Sequence, residues 1–347
     1  MSLDKRNTWN SLDSLWRNKN VKTLDSRGKK YAIISDTHMG GGGEADDFHL
    51  NEPALLQALN HYFRNGYTLI LLGDIEEFWQ FDLPAIQKKY EASVYAKIRA
   101  FGEDRVYRIF GNHDFEWGGF RDPTKANSQM HGLADEALKM KDASGKVRIL
   151  LLHGHQGSID SDKYSWFSRF FVRVFRGIEP LAKITGLYGH GAATKSPVAS
   201  DYERTYYAWA KSRRVIVFCG HSHRAVFASK TRADELLDKI ADLTAELSDA
   251  RLSRSTLRKK NREIARIQAE FDDEKAKGRA IEIDSSAEPK PCYFNSGCGL
   301  YSDGITTIEI SEDDVRLVKW NRDATGGKQS VVFKEGSLSQ FVKEIST

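Results

Sequence analysis

Five short apolar runs, each followed directly or after one Gly by Asp, Asn or His, constrain most strongly how this chain can fold. They lie in the first two thirds of the sequence, at Tyr31–Ser35, Thr68–Leu72, Val106–Phe110, Val147–Leu152 and Arg214–Cys219. Continuous apolar runs of this length are typical of strands that are buried on both faces. Helical patterns at Glu52–Asn65 and Pro84–Phe101 separate the first three runs. The sequence therefore predicts an α/β fold.

The later part of the chain has a different strand pattern. Further apolar runs lie at Ala225–Ser229, Cys292–Ser296, Thr306–Ile310 and Val315–Trp320, and no clear helical pattern separates the last three. We therefore expect a second, more antiparallel sheet. The 347 residues are 40% hydrophobic, which supplies a large core and excludes a disordered chain. We interpret residues 1–347 as a single domain whose core covers about residues 30–320.

Side chains that can bind a metal follow each of the five runs. They are Asp36, His38, Asp74, Asn112, His153, His221 and His223. Because ligands bind at the carboxyl ends of strands in α/β sheets, we expect these side chains to converge. Carboxylates, an amide oxygen and imidazoles suit Mn, Fe or Zn, of which we favour Mn. Seven ligands fill two coordination spheres if Asp74 bridges two ions, an arrangement used for attack at phosphorus.

The order of these patterns, D-x-H, GD, GNHD, H and GHxH, resembles the calcineurin-like metallophosphoesterase superfamily over about residues 31–310. The resemblance implies a two-sheet β-sandwich flanked by helices (αββα) with a dinuclear metal centre. One metal would take Asp36, His38, Asp74 and His223, and the other Asp74, Asn112, His153 and His221. It further implies attack on phosphorus by a metal-bridging hydroxide, with His113 as the general acid. Asp114 would then orient His113, although a local turn hydrogen bond is an alternative role for Asp114.

The segment after Gly73-Asp74 distinguishes branches of this superfamily. It lacks the Arg of the protein Ser/Thr phosphatases, and the pattern GD-x-x-E-x-W, with Glu77 and Trp79, is similar to bacterial UDP-2,3-diacylglucosamine pyrophosphatases. Those enzymes typically carry Arg where this chain has His113. The substrate therefore stays open between a nucleotide- or lipid-linked pyrophosphate and another phosphomonoester or phosphodiester. Glu77, Trp79 and Arg224 are candidates for substrate binding.

Two other functions compete with this interpretation. One is a nucleotide phosphodiesterase or nuclease, but a net charge of only +4 argues against a nucleic-acid substrate. The other is a non-catalytic scaffold that uses a helical insertion. A scaffold is disfavoured because all seven candidate ligands and His113 are present.

The segment 163–198 contains an aromatic and basic amphipathic pattern. Over Tyr164–Ile178 the large apolar side chains fall on one half of a helix, and Arg169, Arg173 and Arg176 fall on the other. This pattern predicts a cap over the site that holds acyl chains or contacts an anionic membrane. The alternative is a core helix with solvated arginines.

The segment 232–278 is dense in charge and carries apolar residues at 4-3-4-3 spacing, which is typical of a coiled coil. We expect an antiparallel helical hairpin, roughly Arg232–Leu252 and Thr256–Lys277, because the flanking strands should lie close together in one sheet. A single long helix is the alternative. The hairpin would be either a solvated decoration or a contact with a partner or a second copy of the chain.

The cysteines and the N-terminus bear on location. Cys219, Cys292 and Cys298 form no C-x-x-C pair, the N-terminus shows no apolar segment, and no apolar run approaches about 18 residues. We therefore expect a cytoplasmic protein, or one that is peripheral at the inner face of a membrane.

Overall fold

The computed structural model describes residues 3–119, 135–157, 197–247, 253–276, 283, 289–322 and 329–347. Its strands are β1 (Thr23–Asp25), β2 (Lys30–Ile34), β3 (Thr68–Leu72), β4 (Val106–Ile109), β5 (Ala137–Lys141), β6 (Val147–Leu152), β7 (Ile216–Cys219), β8 (Ala225–Phe227), β9 (Lys230–Thr231), β10 (Tyr293–Ser296), β11 (Gly304–Ser311), β12 (Asp314–Asn321) and β13 (Ser330–Ser337). Its helices are α1 (Leu3–Arg17), α2 (Glu52–Arg64), α3 (Leu83–Tyr90), α4 (Ala96–Ala100), α5 (Glu116–Gly119), α6 (Pro197–Arg213), α7 (Arg232–Leu247), α8 (Arg254–Ala276) and α9 (Leu338–Ser346).

The six-stranded sheet has the order β13-β12-β11-β2-β3-β4. Strands β2, β3 and β4 run parallel, with Tyr31 opposite Thr68 and Leu69 opposite Val106. Their carboxyl ends therefore meet at one edge of the sheet. Strands β11, β12 and β13 extend the sheet in antiparallel fashion beyond β2.

The seven-stranded sheet has the order β1-β5-β6-β7-β10-β8-β9. Strands β6, β7 and β10 run parallel at its centre, and β8 pairs antiparallel with β10. The carboxyl ends of β6 and β7 consequently lie side by side, as those of β2, β3 and β4 do in the other sheet.

Successive side chains of the central strands belong to two different cores, as the two-residue period of a strand requires. Ile33 and Ile70 share a core with Leu150 and Val217 of the seven-stranded sheet. The neighbouring position Leu69 packs into a second core, which includes residues of α2. Because the two sheets pack face to face with helices outside them, the predicted two-sheet α/β sandwich is confirmed.

The assignment of strands to sheets differs from the sequence prediction. The last two predicted runs, now β11 and β12, join β2, β3 and β4 instead of forming a separate sheet, and β6 and β7 belong to the other sheet. Strands that are buried on both faces have the same apolar pattern in either sheet, so pattern alone could not separate them. The predicted helix Pro84–Phe101 is interrupted by a π-helical turn at Glu91–Tyr95.

Helices α7 and α8 pack against each other as a hairpin. The apolar stripe residues within the described part of both helices are buried or half-buried, among them Leu236, Ile240, Ile264 and Ile267. The strands that flank the insertion, β8 and β10, are direct neighbours, as predicted. The hairpin thus uses its stripe internally, and its proposed coiled-coil partner or second copy stays a prediction.

Two further points concern the membrane predictions. The amphipathic segment 164–178 lies outside the described residues, as does most of the cap segment 163–198. Within the described part of the chain, no helix has both the length and the apolar character needed to cross a membrane.

Trp209 fixes α6 to α1 and to the seven-stranded sheet. Its ring is fully buried, its Nε1 donates to Asp13 Oδ1 at 2.9 Å, and its ring lies edge-on to Trp16.

We expect Trp209→Ala to lower the free energy of unfolding by about 3–5 kcal/mol, because it leaves a large cavity. Urea unfolding followed by circular dichroism measures this loss. Leu237→Ala, at a position 46% exposed, should change stability by no more than about 0.5 kcal/mol, and equal losses would contradict this account.

Candidate metal centre

The seven predicted ligand side chains lie where the strand ends of the two sheets face each other. Asp36, His38, Asp74 and Asn112 follow β2, β3 and β4, whereas His153, His221 and His223 follow β6 and β7. Contacts join the two groups: His153 Nε2 lies 3.0 Å from Asp74 Oδ2, and His223 Nε2 lies 3.3 Å from Asp36 Oδ1. The site is therefore assembled from both sheets.

The backbone is strained at most of these positions. Asp36, His38, Asp74, His221 and His223 all have positive φ angles, between 49° and 68°. This left-handed conformation is unfavourable for residues with a side chain and persists only where the surroundings enforce it. Backbone hydrogen bonds supply that constraint, since Asp36 N donates to the Gly73 carbonyl and His38 N to the Asp74 carbonyl, both at 3.0 Å.

Two glycines allow the carboxylates to approach the opposing backbone. A Cβ on Gly111 would collide with the carboxylate of Asp74, and a Cβ on Gly220 would collide with the carboxylate of Asp36 and the hydroxyl of Ser35. This close approach explains why the polar residues of GNHD and GHSH each follow a glycine.

The first set of ligand atoms belongs to Asp36, His38 and His223. The Nε2 atoms of His38 and His223 face each other at 3.0 Å, and His38 Nε2 lies 4.0 Å from Asp36 Oδ1. Both oxygens of Asp36 also accept a hydrogen bond from His221 N at 3.0 Å. Two imidazole nitrogens and a carboxylate converging in this way are suited to a divalent cation.

The second set belongs to Asp74, His153 and His221. Asn112 directly precedes His113, whose N donates to Asp74 Oδ1 at 2.7 Å. His153 Nδ1 lies 2.9 Å from the Leu72 carbonyl; because a carbonyl can only accept, Nδ1 carries a hydrogen, and the ring presents Nε2 to Asp74. Asn112 Oδ1 is buried without a hydrogen-bond partner. An orphaned buried acceptor is rare in proteins, and a bound cation would satisfy it. Asp74 Oδ2 also lies 3.8 Å from His38 Nε2, which puts it between the two sets.

The electrostatics of the site favour positive charge. Burial would lower the pKa of a histidine, but the Glu77 hydrogen bond and the charge of Asp74 raise the pKa of His38 to about 9. In the same way, Asp74 outweighs burial and raises the pKa of His153 to about 10. His153 in turn holds the pKa of Asp74 well below its ordinary value, although burial opposes this. The carboxylates thus remain ionised and attract cations.

Asp114 accepts hydrogen bonds from two backbone N–H groups. Its Oδ1 accepts from Gly111 N at 2.6 Å and its Oδ2 from Ile75 N at 2.8 Å. These are the local backbone hydrogen bonds expected for the alternative role of Asp114, and the carboxylate that contacts the His113 ring is that of Glu77. Burial and the charge of Asp74 raise the pKa of Asp114 to about 7, so it is also a weak source of negative charge.

Glu77 and Trp79 both contact His113. Glu77 is 6% exposed, and its oxygens lie 2.8 and 2.9 Å from His113 Nδ1. Its Oε2 also lies 3.0 Å from His38 Nδ1. The Trp79 ring stacks on His113, with centroids 3.9 Å apart. These two side chains, which were predicted to bind substrate, hold the ring of the candidate general acid, and their contact with a substrate stays a prediction.

Arg224 is buried and paired with a carboxylate. It is 1% exposed, and its Nη2 lies 2.6 Å from Glu203 Oε2 on α6. A buried guanidinium that is paired in this way ties the start of β8 to α6, and a contact of Arg224 with substrate stays a prediction.

A buried ion pair that the sequence analysis missed supports the loop after β3. Glu76 is fully buried and accepts from Arg108 Nη1 at 2.6 Å and Nη2 at 2.8 Å. Tyr95 and Trp117 also donate to its carboxylate. The sequence did contain a signal for this ion pair. Arg108 is a charged residue inside the apolar run Val106–Phe110, and a charge inside an apolar strand needs a buried partner.

The close approach at Gly111 gives a test of this geometry. Gly111→Ala should displace the Asp74 carboxylate and weaken Mn binding by about 10–100-fold, measured by titration of the purified protein with Mn. The control is Gly66→Ala, where φ is +73° and no atom lies within 4 Å of the added Cβ. That control carries backbone strain of about 1–2 kcal/mol but should bind Mn normally. Unchanged Mn binding in Gly111→Ala would show that Asp74 is not needed for the ion.

Comparison with known proteins identifies the family. The family model for Calcineurin-like phosphoesterase matches residues 29–225, which is more than half of the 347 residues. The match contains every candidate ligand and ends before the helical hairpin. A search of curated proteins found no match. The chain therefore belongs to the calcineurin-like phosphoesterases, and its cluster of Asp and His side chains supports metal-dependent phosphoester hydrolysis.

Proposed function

We propose that the protein is a dinuclear metallophosphohydrolase. One ion would be held by Asp36, His38, Asp74 and His223, and the other by Asp74, Asn112, His153 and His221. The observation that carries this proposal is the position of Asp74, which contacts a ligand of each set: its Oδ2 is 3.0 Å from His153 Nε2 and 3.8 Å from His38 Nε2. The orphaned Asn112 Oδ1 supports a second ion, and the mixed oxygen and imidazole ligands suit Mn, Fe or Zn, with Mn favoured.

Two divalent ions bound there would activate the attacking water and polarise the phosphoryl oxygens. The protein's own side chains would supply the proton that the leaving group needs. His113 is 22% exposed, so it can reach a bound phosphoester, and its backbone N donates to Asp74 Oδ1 at 2.7 Å. From this position His113 gives a proton to the leaving oxygen as the P–O bond breaks.

The substrate class is part of the proposal. The GD-x-x-E-x-W pattern supports a pyrophosphate linked to a nucleotide or a lipid, and an acyl cap or membrane contact through 164–178 would fit such a substrate. A His at position 113 supports an ester or anhydride whose leaving group needs a proton, because His can donate one where Arg cannot. A contact with a partner or a second copy through 232–278 is a further proposal.

The reaction class is tested with chromogenic esters. We expect two Mn ions per chain and Mn-dependent hydrolysis of p-nitrophenyl phosphate or bis-p-nitrophenyl phosphate, the preferred ester separating monoesterase from diesterase. His113→Ala should lower kcat by about 10²–10⁴-fold, and Asp74→Asn should lower both the Mn content and kcat.

The matched control for these variants is Glu103→Gln, at an exposed position outside the site, which should behave as wild type. Cleavage that survives complete removal of Mn, or a single ion per chain at full activity, would contradict the dinuclear proposal. Lipid-linked and nucleotide pyrophosphates are then compared with the chromogenic esters to identify the preferred substrate class.

A further inference from the structure

A row of basic side chains runs along the exposed face of α8. Arginine recurs at every fourth position, with one lysine beside it, and the five residues are Arg254, Arg258, Lys259, Arg262 and Arg266. All five are exposed. Residues four apart lie on one side of a helix, so these side chains fall within a sector of about 140° and span about 18 Å along the axis. We call these five residues the arginine row.

The arginine row has no carboxylate partner in the described part of the chain, where none of its side chains forms an ion pair or a hydrogen bond. Most carboxylates of the neighbouring helix α7 are paired with other cations. These pairs are Lys230 with Asp238, Lys334 with Glu235 and Lys260 with Glu246. The acidic side chains of α7 therefore do not neutralise the row.

This arrangement makes the helix less stable than it could be. Like charges at positions i and i+4 repel each other and destabilise a helix. Arg254 also begins α8, where the helix dipole favours negative charge, and the first turn contains no acidic residue. The apolar stripe with Ile264 and Ile267 lies on another side of the helix, where it is buried or half-buried. The row thus contributes nothing to the core, and its repulsion would be relieved by an anion from outside the chain.

The arginine row suits DNA better than a membrane surface. A helix that binds in a membrane interface needs large apolar residues exposed beside its basic ones, and the sector of the row contains no large apolar residue. DNA presents a line of phosphates, spaced about 3.4 Å along each strand, and a guanidinium group binds phosphate through two parallel hydrogen bonds. The major groove of B-DNA also admits an α-helix, whereas that of duplex RNA is too narrow for side chains.

We propose that α8 is a docking surface for double-stranded DNA, whose phosphates the arginine row binds. The proposal is independent of the metal centre and does not make DNA the substrate. The net charge of only +4 conceals this surface, because residues 254–266 alone carry six Lys or Arg side chains and one Glu. Contacts with phosphates carry no sequence information, so we expect DNA of any sequence to bind.

The test is a titration of a fluorescent DNA duplex of about 24 base pairs with the full-length protein, followed by anisotropy at several salt concentrations. With four phosphate contacts, the affinity should fall about 100-fold between about 50 and 200 mM salt. Arg262→Gln should make the plot of log K against log salt shallower by about 1. The row variant combines Arg254→Gln, Arg258→Gln, Arg262→Gln and Arg266→Gln, and it should bind more than about 30-fold more weakly at the lower salt concentration.

A matched control removes the same charge from exposed positions outside α8. It combines Lys19→Gln, Lys29→Gln, Arg64→Gln and Lys88→Gln. Because these charges are distant and screened by salt, the control should retain the wild-type affinity within about threefold. Both variants should keep the wild-type circular dichroism spectrum, and the row variant should melt at the wild-type temperature or above it, because its repulsion is relieved.

Equal losses of affinity in the row variant and the control, or no loss in the row variant, would overturn the arginine row as the docking surface. A wild-type protein that binds no DNA would overturn DNA as the partner, whether or not it binds duplex RNA or vesicles that contain phosphatidylserine. Hydrolysis of the nitrophenyl esters should be unchanged in both variants. Failure of the wild type to hydrolyse any ester would contradict the proposed function and leave the result of the DNA titration intact.

Discussion

Asp36 and Asp74 place two carboxylates at the edge shared by both sheets, where each is almost fully buried. Buried charge is costly unless it is paired. Here the pairing comes from imidazoles, His153 for Asp74 and His223 for Asp36, and from backbone N–H groups. The Nε2 atoms of His38 and His223 also face each other at 3.0 Å. The buried carboxylates and the imidazole nitrogens around them therefore favour the binding of cations. The candidate ligands come together because the two sheets pack with their strand ends facing each other.

The convergence of these polar side chains is accompanied by backbone strain at the site. Five candidate ligands adopt left-handed φ angles, and each such residue costs of order 1–3 kcal/mol. Two buried cores, one between the sheets and one under α2, hold the strands firmly enough to sustain this cost. Gly111 and Gly220 remove the Cβ atoms that would otherwise block the carboxylates. Stability from apolar packing is thus used to maintain an unfavourable but chemically useful arrangement of polar side chains.

Most of the strands and the candidate ligands at their ends could be predicted from sequence, because each prediction depends on a few neighbouring residues. An apolar run followed by Gly and Asp, Asn or His identifies both a strand and the side chain at its end, and Thr68–Leu72 and Val147–Leu152 were predicted with their observed bounds. Which sheet a strand joins is not local, and doubly buried strands look alike in either sheet. The partners of Asp114 and Arg224 are not local either: Asp114 accepts a hydrogen bond from Ile75 N, and Arg224 pairs with Glu203.

Glu77 shows why partners matter more than residue types in this site. Its acidic side chain could equally have bound substrate, bound metal or faced solvent. Its contacts with His113 and His38 make it the common neighbour of the candidate general acid and of a candidate ligand. Because both rings contact the same carboxylate, a shift of the loop after β3 would move them together. The loop is accordingly anchored by Glu76 and Arg108 in the core, which restrains the backbone directly beside Glu77.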